Sequence, residues 1–298
     1  MRWTGDIAAG DWLRPLIDDP WRFTMHDVVP RGFDAYARVF HPAYCGDDTV
    51  TWAATAQAFG TTMHPGAQWN RIVRVAPEDG AQQVMSPDGR EFGAPQEGEL
   101  DTGILNLLAR VLAQHTTTPD SGGVALWEGW GDLVGGMRLS GQGSAVAYSD
   151  SNGSDLTRQV LSRSIRDVFN DVFRRPSWHD GILSRDISEG PRLALPGRSY
   201  IVFEGGISEF AEPDWELRMP WRDRPAEAVH GFGPSAQSPA IVWPDDHAWV
   251  LVTEIDYDST IIAGTRELVA AVCAADGIEA FEIPPDAPLT WESDEVNR

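Results

Sequence analysis

The chain contains no lysine. All 23 of its Lys/Arg positions are arginine, set against 45 Asp and Glu, for a formal net charge of −22 over 298 residues. Without lysine there is no Schiff-base amine, no phosphate loop ending in Gly-Lys-Ser/Thr and no kinase-type nucleotide lysine. The acidic balance excludes the concentrated basic face that nucleic acid needs, so no nucleic-acid partner is expected. Cysteine is nearly missing too. Cys45 and Cys273 lie in unrelated contexts and are too few for a disulfide framework, so reduced thiols in a cytoplasmic protein are expected. No apolar run is long enough to cross a bilayer, and the opening MRWTGDIAAGDW has no apolar core or small-residue cleavage site. No membrane association is expected.

What the chain does have is a hydrophobic fraction of 42% and 13 tryptophans, enough apolar surface to build a core. Tryptophan at this density reads either as a stacking surface for a ring-shaped ligand or as core filling at layer junctions, with each indole N–H bonded. The exclusive use of arginine also fits a GC-rich coding bias.

Apolar residues at i, i+3 and i+4 predict helices from Asp101 to His115, from Ser154 to Phe173 and from Thr265 to Ala275, with a shorter one over Trp52 to Phe59. Runs rich in β-branched and aromatic residues predict strands over Phe33 to Phe40, Val124 to Trp127, Ser199 to Glu204, Ala248 to Asp256 and Ile278 to Ile283. Strands and helices are interspersed without regular alternation. The expected fold is therefore α+β, one domain over residues 1–298, with a mainly antiparallel or mixed sheet and three to four helices. Residues 76–98 and 135–154, rich in Gly with Pro or Ser, are expected as mobile loops.

The segment from Ala248 to Thr260 concentrates the chemistry. Read with period two, Trp249, Leu251, Thr253 and Ile255 point one way, and Val250, Val252, Glu254, Asp256 and Asp258 the other. Three carboxylates on one face repel, so water, an arginine or a metal ion must compensate them, or the strand end simply emerges into solvent. Arginine is the expected partner, with Arg198 a candidate; Mg²⁺ or Ca²⁺ is the other possibility, and no organic cofactor is expected. The same string, Asp256-Tyr-Asp258-Ser-Thr260, is similar to the first motif of haloacid-dehalogenase-type phosphatases. Only 38 residues follow it, too few for that family's later motifs in their usual order. As an EF-hand loop it places Ile261 where glycine is needed.

Other motifs are weaker. Seven scattered histidines form no HxH or HExxH pattern, and there is no G-x-S-x-G elbow. Trp127, Glu128 and Trp130, set among glycines at a strand end, form a candidate stacking surface for a polar ligand or, alternatively, a cap on the sheet edge.

Four segments, GFDAYARVFHP (32–42), ALWEGWG (125–131), PGRSYIVFEG (196–205) and SPAIVWPDDHAWVLVTEIDYDST (238–260), resemble an uncharacterised family of actinobacterial proteins. That resemblance implies no activity and no site residues. Two functions are expected from the residues themselves. One is a non-catalytic binding protein for a basic protein partner or a small ligand: from Pro244 onward, 13 acids face two arginines, half of the net charge. The other is a metal-assisted hydrolase acting on a small anionic substrate through Glu254, Asp256 and Asp258, with Arg198 for the anion.

Overall fold

The computed structural model describes residues 1–18, 22, 24–76, 80–139, 176–230 and 233–298. Fifteen strands fall within them: β1 Arg2–Trp3, β2 Ala35–Phe40, β3 Ala43–Cys45, β4 Asp48–Val50, β5 Gln83–Met85, β6 Glu91–Gly93, β7 Gly122–Trp127, β8 Gly136–Leu139, β9 Pro176–His179, β10 Leu193–Leu195, β11 Arg198–Glu204, β12 Ile241–Pro244, β13 Val250–Thr253, β14 Ser259–Gly264 and β15 Ala280–Ile283. Six α-helices accompany them: α1 Trp52–Phe59, α2 Trp69–Ile72, α3 Thr102–Leu112, α4 Arg185–Ser188, α5 Arg224–His230 and α6 Arg266–Cys273. The fold is α+β.

Nine strands form one antiparallel sheet in the order β1-β11-β7-β12-β13-β14-β2-β15, with β10 on the outer side of β11. Both of its faces are covered. On one, α3 and α6 bury Leu105, Leu108, Leu112, Leu268 and Val272 against Val124, Ile201, Leu251 and Ile262. On the other, Leu13, Ile17, Met25 and Val29 from the N-terminal 3-10 turns pack on Tyr36, Val202, Val250 and Ile261. Burial on both faces explains why these strands read as continuous apolar runs rather than as alternating ones. A third core lies beside Phe40, where Trp52, Phe59, Trp69 and Ile72 from α1 and α2 meet Phe92.

Caps account for the helix boundaries. Thr51, Asp101 and Thr265 each accept a backbone N–H from the first turn of the helix that follows. Gly60 ends α1 in the left-handed region. Core filling claims much of the tryptophan: Trp52, Trp215, Trp221, Trp243 and Trp249 are fully buried. The indoles of Trp52, Trp69, Trp221 and Trp249 donate to the carbonyls of His41, Ala81, Gln237 and Leu112.

Four expectations need correction or placing. The additional helices, α2, α4 and α5, span only four to seven residues, too short to show a 3.6-residue period. The expected loop over 76–98 contains the β5–β6 hairpin, closed by a Ser86-Pro-Asp-Gly-Arg90 turn in which Ser86 N bonds Arg90 O and seated by the buried Phe92. A Pro-Asp-Gly string is a turn signal between two strands as much as a loop signal. Residues 136–139 of the second expected loop pair with Pro176–His179. The helix expected over Ser154 to Phe173 lies outside the described residues.

Candidate functional site

Strand β13 stops at Thr253, three residues before the expected end. The chain then turns, with Tyr257 N bonding Glu254 O, and re-enters the sheet at Ser259. The sheet pleat therefore does not carry the three carboxylates; the β13–β14 turn does, and arginines gather them. Its root is a buried hydrogen-bond chain. His41 Nδ1 lies 2.7 Å from the carbonyl of Gln96 and so donates to it. Its Nε2 then accepts from the Thr260 hydroxyl at 2.9 Å, and Thr260 accepts from Thr253 at 2.8 Å. Burial pulls the His41 pKa below its ordinary value, which keeps the ring in this neutral form.

The same chain fixes the neighbouring loop. Gly98 N bonds Tyr257 O, and Gly98 sits at φ +70°. A Cβ here would lie 2.5 Å from Ile255 O. Only glycine permits both the left-handed backbone and the close approach. Glu97 is thereby held beside the turn.

Arg198, at the start of β11, donates through Nε to Glu254 at 2.8 Å and through Nη2 to both Glu254 and Asp256, the latter at 2.7 Å. The guanidinium also stacks 5.3 Å from the Trp127 ring centroid. Asp258 takes a different arginine. Arg38, 1% exposed on β2, reaches Asp258 at 3.0 Å, the Ser259 hydroxyl at 2.9 Å and the Ala67 carbonyl at 2.7 Å. Burial lowers its pKa and Asp258 opposes that shift. Sequence reasoning missed Arg38, although a lone arginine inside the apolar run Ala35–Phe40 carries a signal: a charge buried in a sheet must be paired.

Glu97, Arg198, Glu254, Asp256 and Asp258 line a cavity of about 870 Å³. One wall is the turn from Glu254 to Ser259 and another the Pro196-Gly-Arg198 bend. Gln68, Trp69 and Asn70 of the α2 segment face them, with Ala94, Pro95 and Glu97 beside, and Leu289 to Trp291 at the rim. Asp294, fully buried, ties this C-terminal stretch down by accepting from His64 Nε2, Gln68 N and Asn297 N. The electrostatics inside are strained towards negative. Burial holds the Glu254 carboxyl above the usual carboxylate range despite Arg198. Burial, and then the charges of Asp258 and Asp256, does the same to Glu97. Burial pushes the Tyr257 phenol up to about 12, with Glu254 adding to it.

The second candidate surface is built differently. Trp127 and Trp130 pack edge to face at 5.8 Å, both against core residues. Glu128 pairs with Arg192 at 2.9 Å, and a Cβ on Gly129 would lie 2.1 Å from the Trp127 ring. Trp127 carries Arg198 over its ring, and neither tryptophan lines the cavity.

The acidic C-terminal portion is also largely engaged from within. Asp246 accepts from Thr116, Thr117 and Ala248, Glu279 accepts the first two N–H groups of α1, and Asp286 pairs with Arg31. With Glu254, Asp256, Asp258 and Asp294, these account for more than half of the 13 acids counted there. Among the described residues no group of three or more His, Cys, Asp and Glu side chains is arranged to hold a metal ion, and no helix is long and apolar enough to cross a membrane.

Compared with protein-family models, curated proteins and solved structures, the chain matches none. The functional reading rests on the cavity.

Proposed function

We propose that the protein is a non-catalytic binding protein whose site is the cavity at the β13–β14 turn, and that its ligand is a small polar molecule. One observation carries this: Arg198, distant in sequence, meets Glu254, Asp256 and Asp258 of a single turn on the wall of an 870 Å³ concavity. A cavity of that size with polar groups fixed at its base is the usual form of a ligand site. Arg198 and Arg38 hold the carboxylates in place before a ligand arrives, so little ordering cost falls on binding. The engagement of the C-terminal acids inside the fold favours a small ligand over a basic protein partner. We take the chain as one domain, because β1 and β15 at the two ends of the sequence join the same sheet. The free thiols Cys45 and Cys273 suit a reducing cytoplasm.

A second reading, the metal-assisted hydrolase, draws support from Glu97. Its charge crowds those of Asp256 and Asp258, and a divalent cation would relieve all three. A thermal-shift screen of organic cations, organic anions, neutral polyols, Mg²⁺ and Ca²⁺ separates the two. An organic ligand at a hundred times its Kd adds about 2.7 kcal/mol of stability, which is expected for wild type and not for the double variant Glu97→Gln/Asp256→Asn. Stabilisation by Mg²⁺ or Ca²⁺ alone would transfer the assignment to the hydrolase. A response equal in the variant would remove the cavity from either.

A further inference from the structure

Resting on the ligand-binding reading, we infer that the occupant is a hydroxylated organic cation, a short amino-sugar rather than a simple polyamine, a neutral sugar or an anion. Charge gives the first half of this. Glu97, Glu254, Asp256 and Asp258 line the cavity against one lining arginine, Arg198, whose guanidinium already lies between Glu254 and Asp256. Arg38 sits behind Asp258 at 1% exposure and offers nothing to an incoming anion. An anionic ligand would meet an excess of carboxylate in a partly enclosed space, where like charges cost most. Glu97, with no arginine partner among the described residues, would instead gain one from a ligand ammonium.

The second half comes from a donor. Asn70 lines the cavity at 8% exposure, and its amide nitrogen has no hydrogen-bond partner among the described residues. A buried donor left unpaired costs about 1–3 kcal/mol. That nitrogen is itself shielded from the cavity, and rotation about the Cβ–Cγ bond, which exchanges the two ends of the amide, is what would turn it towards a ligand's acceptor oxygen. A polyamine has no such oxygen; a sugar hydroxyl has. Aromatic surface completes the match. Trp69 and Tyr257 line the cavity, and Trp291, 53% exposed, lines it as well; aromatic rings of this kind pack against the C–H face of a pyranose. The volume falls within the range of small-molecule sites.

Calorimetric titration at about pH 6, where the amines are protonated, tests this with four probes: the disaccharide of β-1,4-linked glucosamine, its N-acetylated counterpart, spermidine and a disaccharide of uronic acids. The glucosamine disaccharide should bind tightest and the uronic acid not at all. Acetylation should weaken binding roughly tenfold, as should Glu97→Gln/Asp256→Asn, in keeping with two partly exposed charge pairs. Asn70→Leu should weaken the glucosamine disaccharide more than spermidine. Equal affinity for the acetylated disaccharide, or any preference for the uronic acid, would overturn the cationic assignment while leaving a binding cavity. Spermidine binding as tightly as the amino-sugar would overturn the hydroxylated assignment. If none of the four binds, the inference fails, and the wider screen described above decides whether the binding reading fails with it.

Discussion

Replacing Arg198 by methionine should destabilise the protein in a manner that depends on pH. The Arg198 stem is kept, but Glu254, whose side chain is 6% exposed, loses both guanidinium bonds to its carboxylate. Removing one partner of a fully buried pair costs about 3–5 kcal/mol. Arg198 itself is 24% exposed, so solvent reaches one side and about 2–3 kcal/mol is the better figure. Asp256, 73% exposed, should add almost nothing. Burial already holds the folded-state pKa of Glu254 above its ordinary value, and loss of Arg198 must raise it further. A carboxyl whose folded pKa is raised favours folding below its unfolded pKa and loses that contribution as pH rises through the folded value. The variant should therefore be closer to wild type at pH 5 than at pH 8, because the deficit grows as Glu254 loses its proton. Urea denaturation at both values reads the difference, and Arg198→Met/Glu254→Leu should recover most of the loss at pH 8. A deficit that is the same at both pH values, or no recovery in the double variant, would refute the claim that Arg198 serves to compensate Glu254.

Gly98→Ala should cost about 2–4 kcal/mol, because it combines a left-handed backbone with a Cβ 2.5 Å from Ile255 O; a melting temperature unchanged from wild type would show that the 94–98 loop is not held against the turn. Thr260→Val keeps the shape but leaves the Thr253 hydroxyl and His41 Nε2 without their partner, a loss of about 1–3 kcal/mol. Thr260→Ser should recover it in the same denaturation assay. Asp256→Asn should leave stability within about 0.5 kcal/mol of wild type, since its carboxylate is mostly in water, and a marked loss would place Asp256 deeper in the ion-pair network than the structure does.

Much of this architecture is written locally. Thr51, Asp101 and Thr265 stand directly before apolar periodicities, and each caps a helix where that pattern begins. The strands were visible as apolar runs because both faces of the sheet are buried. What was not legible has a common cause, pairing across long sequence separations. Period two places Glu254, Asp256 and Asp258 on one face of a strand, whereas the strand ends at Thr253 and the three are collected by Arg198 and Arg38 from other strands. Period two says nothing about where a strand leaves its sheet. Trp69 and Asn70, Glu97, and Trp291 enter the cavity from three separate segments, and no local pattern links them. Composition also misled at Ser86-Pro-Asp-Gly-Arg90, where turn residues close a hairpin.

The most direct test of the central claim is hydrogen-exchange mass spectrometry with and without saturating glucosamine disaccharide. Protection is expected in the peptides covering 94–98, 196–198, 254–258 and 289–291, all of which border the cavity. No change is expected in 129–131, none of which lines the cavity. Protection at 129–131 with none at 254–258 would move the site to the tryptophan pair and contradict the account.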